Sequence, residues 1–124
     1  MKILVVEPGM MPKRVEIPHT LEAMQKVVGG FIETVHPFDD PVVLICDEEG
    51  KLKGKTPNIY IPHKDIIVGT IFICGLGEEN LTDLPDTLME KYETMLKEAR
   101  ALLETPEGII PIYILNDPDD ADEE

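Results

Sequence analysis

The chain has no tryptophan, three tyrosines, three phenylalanines and two cysteines in 124 residues. Cys46 and Cys74 lie in separate apolar runs, LICDE and FICGL. They lack the close spacing of a zinc or redox pair, so they read as buried free thiols acting as small hydrophobes. No apolar run approaches the ~20 residues a membrane span needs. The opening MKILVVEPG is interrupted too early for a secretory signal, and a cytoplasmic location, the host cell cytosol, is the expectation. No Walker or dinucleotide glycine motif is present. His19, His36 and His63 show no metal-binding spacing and read as loop or surface histidines. His36 beside Asp39 and Asp40 is the one arrangement resembling an acid–base cluster, and it has no evident nucleophile. No catalytic residue, metal site or cofactor is assigned, and a non-catalytic protein is expected.

Positive charge is also scarce, with 11 Lys and Arg against 25 Asp and Glu and a net charge of −14. Such an excess repels phosphate backbones and argues against general nucleic-acid binding. Six of the acids fall in the last eight residues, DPDDADEE. That segment, 117–124, reads as a disordered solvating tail, or else as a docking tail for a basic partner. The remaining 1–116 are expected to form a single domain, long enough to bury a core without disulfides.

Along the chain, Lys2–Glu7 is β-rich, and Lys13–Ile17 alternates as a strand that pairs with it. Thr20 is placed to cap a helix carrying Leu21, Met24, Val27 and Val28, stopped at Gly29-Gly30. Phe31–Val35 and the continuous apolar run Pro41–Asp47 read as strands, the second covered on both faces or at the sheet centre. Ile59–Ile61 reads as a short strand or a loop patch. Ile66–Cys74 reads as one strand, with Gly69 at its middle as a bulge or a close backbone approach. Leu88, Tyr92, Met95, Ala99, Leu102 and Leu103 trace one face of a long helix from Pro85 to Leu103. Ile109–Leu115 follows as an edge strand or an interface segment, because Pro111 argues against a central position. This order predicts an α+β fold, a mostly antiparallel sheet of about five to six strands with two helices packed on one face.

Two clusters invite function. From Gly50 to Lys64 there is no Asp or Glu. Lys51, Lys53 and Lys55 alternate there, which on an extended arm gives one cationic face, and the glycines at 50 and 54 would admit a phosphate. The plainer reading is an edge strand guarded by lysines. Asp39 and Asp40, held between Pro37 and Pro41, could contact a ligand or simply form the turn. Phe38 and Tyr60 sit beside chain breakers, where an exposed ring could stack a base; Met24, Phe31, Phe38, Tyr92 and Met95 otherwise read as core.

The blocks VGG-I-V-PFDDPV-LIC-EEGKL-G, then I-GT-FICG and LP…L-EKY, resemble a family of phage, plasmid and low-GC bacterial proteins catalogued as domain of unknown function 3846. The resemblance runs from the first strand to Tyr92 in ungapped blocks. It departs after Gly54, where KTPN stands in place of an LPxNR-like segment and its arginine. It implies a mobile-element setting and no particular reaction. Two functions are then expected as alternatives. One is capture of a small phosphorylated ligand, a nucleotide, through Phe38, Asp39, Asp40, Lys51, Lys53, Lys55, Asn58 and Tyr60, which would sequester a host immune signal in an anti-defence role. The other is an acidic interaction protein that inhibits a host DNA-binding enzyme by mimicking DNA. Both admit a homo-oligomer, with Ile109–Leu115 as a seam, and neither involves a membrane.

Overall fold

The computed structural model describes residues 1–62 and 64–115, so His63 and the acidic tail expected at 117–124 lie outside the described residues. Among these residues two helices and ten strands appear in the order β1 (Lys2–Val6), β2 (Lys13–Glu16), α1 (Leu21–Val28), β3 (Ile32–Val35), β4 (Val42–Asp47), β5 (Pro57–Ile61), β6 (Asp65–Val68), β7 (Ile71–Leu76), β8 (Leu81–Thr82), α2 (Asp86–Glu98), β9 (Arg100–Thr105) and β10 (Gly108–Ile114). The class is α+β, as expected.

The first sheet runs β2-β1-β7-β4-β3, with β8 as a sixth strand on β7, and all its pairs are antiparallel. Its strands β1, β4 and β7 are apolar on both faces because both faces are covered. One face presents Ile3, Val5, Val43, Ile45, Phe72 and Cys74 to Met24 and Val28 of α1. The opposite face presents Leu4, Val6, Leu44 and Ile73 to Met89, Tyr92 and Leu96 of α2 and to the second sheet. The two helices therefore do not share a face; the period-two alternation of β1 and β4 divides them between the two sides. Phe72, wholly buried, is the largest side chain of the α1 cluster.

The second sheet has four strands in the order β6-β5-β10-β9. It arises from two departures from the sequence expectation. The apolar run 66–74 is broken at Gly69, whose φ of 77° no strand accommodates. β6 ends there and pairs with β5, while β7 begins at Ile71 in the other sheet. The long helix is also shorter than expected. α2 stops at Glu98, Ala99 is extended at φ −117° and ψ 96°, and Leu102 and Leu103 lie in β9. Six residue pairs to β10 outweigh the helical spacing of those leucines.

β10 is not an edge strand. It lies between β9, antiparallel, and β5, parallel. Pro111 is tolerated because the β5 ladder, Tyr113 to Ile59 and Ile114 to Tyr60, does not reach it. Its nitrogen, which carries no hydrogen, faces the β5 side ahead of the first paired residues there.

Candidate functional site

The capping of α1 builds a highly connected polar cluster among the described residues. Thr20 Oγ1 accepts the Ala23 N–H at 3.1 Å and starts the helix. Gly29, left-handed at φ 78°, ends it and donates to Gln25 O at 2.8 Å. The last turn leaves carbonyls unpaired and a partial negative charge. Lys55 Nζ donates to Val28 O at 2.7 Å and Lys53 Nζ to Gly29 O at 3.2 Å. The same two ammonium groups meet Asp47 Oδ2, Lys53 at 2.8 Å and Lys55 at 2.6 Å.

Asp47 closes β4 with its side chain 1% exposed. Burial alone would raise its pKa. The hydrogen bonds from Lys53 and Lys55, with the Glu49 N–H, outweigh burial and hold it down at about 2. Gly30 leaves the room this needs, since a Cβ there would stand 2.5 Å from Asp47 Oδ1. Lys55 is backed by Gly69, where a Cβ would come within 2.7 Å of its Cδ.

The lysine arm is not extended. Residues 51–54 form a turn, with Lys53 N donating to Glu49 O, Gly54 N to Lys51 O and Lys55 N to Gly50 O. The three lysines therefore do not share one face. Lys51 reaches outward to Asp65 Oδ2 at 2.5 Å, while Lys53 and Lys55 turn in to Asp47. The hollow beside them, about 220 Å³, is rimmed by Glu33, Asp47, Glu48 and Asp65 against Lys51. That rim is anionic, which opposes a phosphate.

The other expected site residues have different partners. Asp40 Oδ2 accepts from Lys91 Nζ at 2.7 Å and Tyr92 Oη at 2.6 Å, and those bonds lower its pKa. Phe38 packs edge-on to Tyr92 with ring centroids 4.7 Å apart. The Pro37–Pro41 corner thus docks on α2, and Asp39 beside it is exposed and also has a partner. Asn58 is an internal clamp, fully buried, donating to Val6 O and Gly69 O at 2.8 Å each. It ties the end of β1 to the corner between the sheets. Its Oδ1 has no hydrogen-bond partner among the described residues. Tyr60 is partly exposed on β5, and Phe31, expected in the core, is 64% exposed. Burial raises the Cys46 and Cys74 thiols to about 11 and 12, as inert hydrophobes. Among the described residues no group of three His, Cys, Asp or Glu converges as metal ligands.

What sequence reasoning missed is Asp47 as the hub of this cluster. The signal was available in an aspartate ending an apolar strand just before a lysine-rich turn, with a glycine pair upstream.

Residues 1–97 match the family described as Domain of unknown function (DUF3846). The chain belongs to that family. Among curated proteins and solved structures, nothing matches. Within this DUF3846 chain the blocks carrying the family resemblance meet in two places. VGG, the lysine turn and Gly69 surround Asp47, and PFDDP meets Lys91 and Tyr92 of EKY. The matched residues end within α2, so β9 and β10 lie beyond them.

Proposed function

We propose that this protein is a non-catalytic acidic binding protein of a mobile element, which occupies the basic DNA-binding surface of a host enzyme. The carrying observation is the acidic border that runs from the end of β7 through β8 into the first half of α2. Glu78, Glu79, Asp83, Asp86 and Glu90 are all exposed there, and no Lys or Arg stands between Lys64 and Lys91. Asp86 and Glu90 lie one helical turn apart on α2, about 6 Å along its axis. Among the described residues none of the five takes part in an ion pair. Several cations that would offset them are engaged elsewhere, whereas Lys2, exposed at the hollow that Asp86 also lines, has no ion pair among the described residues. Arg14, a cation beside Asp86 and Glu90, is bound in fork geometry to Glu93. Lys91 is bound to Asp40, and Lys51, Lys53 and Lys55 to Asp65 and Asp47. A border of unpaired carboxylates offers a basic groove the kind of charge it uses on a phosphate backbone.

The test is capture of basic DNA-binding proteins from a host extract on the immobilised protein, with duplex DNA as competitor. DNA should displace the captured enzyme, and affinity should fall as salt rises. The Glu78→Gln/Glu79→Gln/Glu90→Gln variant removes three charges and spares Asp83, which accepts the Lys2 N–H, and Asp86, which opens α2. It should bind at least about tenfold more weakly. Unchanged capture by that variant, or indifference to DNA, would refute the reading.

One observation supports the second reading, nucleotide sequestration. Lys55 lies at a shallow hollow of about 410 Å³ shared with Gly29, Gly54, Gly69 and Thr70. A phosphate there would have to draw the ammonium from Asp47 and Val28 O. Calorimetry with nucleotides separates the two. Saturable binding that persists in the triple Gln variant and is lost in Lys55→Gln would favour sequestration.

A further inference from the structure

β9 is the terminal strand of the second sheet. Ile114 N donates to Ala99 O at 2.8 Å, which makes 99 and 114 a hydrogen-bonded pair. Antiparallel alternation then makes 101/112, 103/110 and 105/108 the pairs bonded to β10. Arg100, Leu102 and Glu104 consequently turn their N–H and C=O groups away from β10, toward an edge that no strand covers among the described residues. Their side chains share one face with Ile109, Pro111 and Tyr113 across the hairpin.

That face gathers apolar surface. Leu102 is 75% exposed and Ile109 68%, and Met10 and Met11 are each 50% exposed. The methionine loop is fastened beside them by Tyr113 Oη to Met10 O and Arg100 Nη2 to Met11 Sδ. Four of the nine exposed large apolar side chains of the described residues thus lie together at one edge. Such an edge, without proline or lysine on the strand, invites another strand.

We infer that the occupant is a second copy of this chain, joined by antiparallel pairing of β9 with β9 about a two-fold axis through Leu102. The charge pattern selects it. In this register Arg100 stands opposite Glu104 of the partner subunit and Glu104 opposite Arg100 of the partner subunit. Leu102 meets its own copy, and Ala101 meets Leu103 of the partner subunit on the other face. The three residues with outward backbone groups are the three that pair, so every outward N–H and C=O of the strand finds a partner. A shift by one residue would set inward-bonded residues against outward ones, and a shift by two would lose one of the three pairs and both charge matches. The interface is isologous and closes, fusing two four-stranded sheets into one of eight.

The experiment is sedimentation equilibrium of the full chain from low to high micromolar concentration, with single-cysteine scanning of β9. Antiparallel partners place Cα atoms about 5.5 Å apart where hydrogen-bonded and about 4.5 Å apart otherwise, both within disulfide reach. Leu102→Cys should form a covalent dimer under mild oxidation. Ala101→Cys and Leu103→Cys should each remain unlinked alone and link to one another when mixed. The native Cys46 and Cys74 are buried and stay silent. Arg100→Glu alone puts like charges together twice and should weaken the dimer about tenfold, while Arg100→Glu/Glu104→Arg should restore it. The unchanged melting temperature of each variant's monomer separates this from misfolding. A monomer at every concentration would overturn the inference and leave the edge to a foreign strand. A dimer that links through Ala101→Cys alone, or that ignores the charge swap, would overturn the register.

Discussion

Asp47 concentrates the polar energetics of the molecule into one carboxylate. Two lysines and one backbone N–H converge on it, and those lysines also cap α1. Its pKa lies at about 2 instead of the ordinary 3.8, so the folded state holds the ionised form more tightly than the unfolded chain does. The stability this supplies is fully present above about pH 4 and is lost as pH falls toward 2, a change of about 2 kcal/mol. Asp47→Asn should cost about 2–4 kcal/mol at neutral pH. Urea titrations of both proteins should show the gap closing between pH 4 and 2. Asp40, Asp65 and Glu93 also have lowered pKa values but are common to both proteins, so the difference isolates Asp47. A gap independent of pH would mean that the ion pairs are not its source. Asn58, a candidate ligand residue by its sequence context, is instead an internal tie. Its place after Pro57 does not reveal which way the amide points.

At the scale of elements, the legible signals were those decided within a few residues. Thr20 and Gly29 bound α1 where capping chemistry puts them. The unbroken apolar run of β4 meant cover on both faces. What misled was apolar sequence whose meaning depends on a distant partner. Leu102 and Leu103 continue the spacing of α2, yet their fate is decided by β10. The run 66–74 holds two strands of different sheets, and only the left-handed φ of Gly69 tells a break from a bulge. That glycine carries a direct prediction. Gly69→Ala combines an unfavourable positive φ with a Cβ 2.7 Å from Lys55 Cδ. It should lower stability by about 1–3 kcal/mol. Thermal melts of Gly69→Ala in a Lys55→Met background should recover part of that loss, since the pinned ammonium no longer holds the stem in place. The candidate site was legible only as composition. The lysines stand out in the sequence, but their partners lie in β4, α1 and β6, and a turn in place of an arm turns them inward.

At the scale of the whole molecule, the first sheet is a middle layer, with α1 on one side and α2 with the second sheet on the other. The net charge of −14 is imposed on this compact body. Self-repulsion of that size weakens the folded state at low ionic strength. The paired lysines are partly shielded, whereas the carboxylates between 78 and 90 are exposed. Raising salt from about 10 mM to about 500 mM should therefore raise the melting temperature by a few degrees, because screening acts mainly on the unpaired acids. Calorimetric scans would check this, and a fall in melting temperature would mean that exposed ion pairs outweigh the repulsion.

The parallel seat of β10 against β5 also governs assembly in time. β5 and β6 leave the ribosome early and can zip together at once, but Ile59 and its neighbours keep one flank open until residues 108–114 emerge. Among the described residues the strand made last, β10, is an interior one, so a nascent chain stalled after α2 presents a raw, sticky flank to its surroundings. β9 is held in the sheet by β10, so the two are added together as a hairpin on the waiting flank of β5.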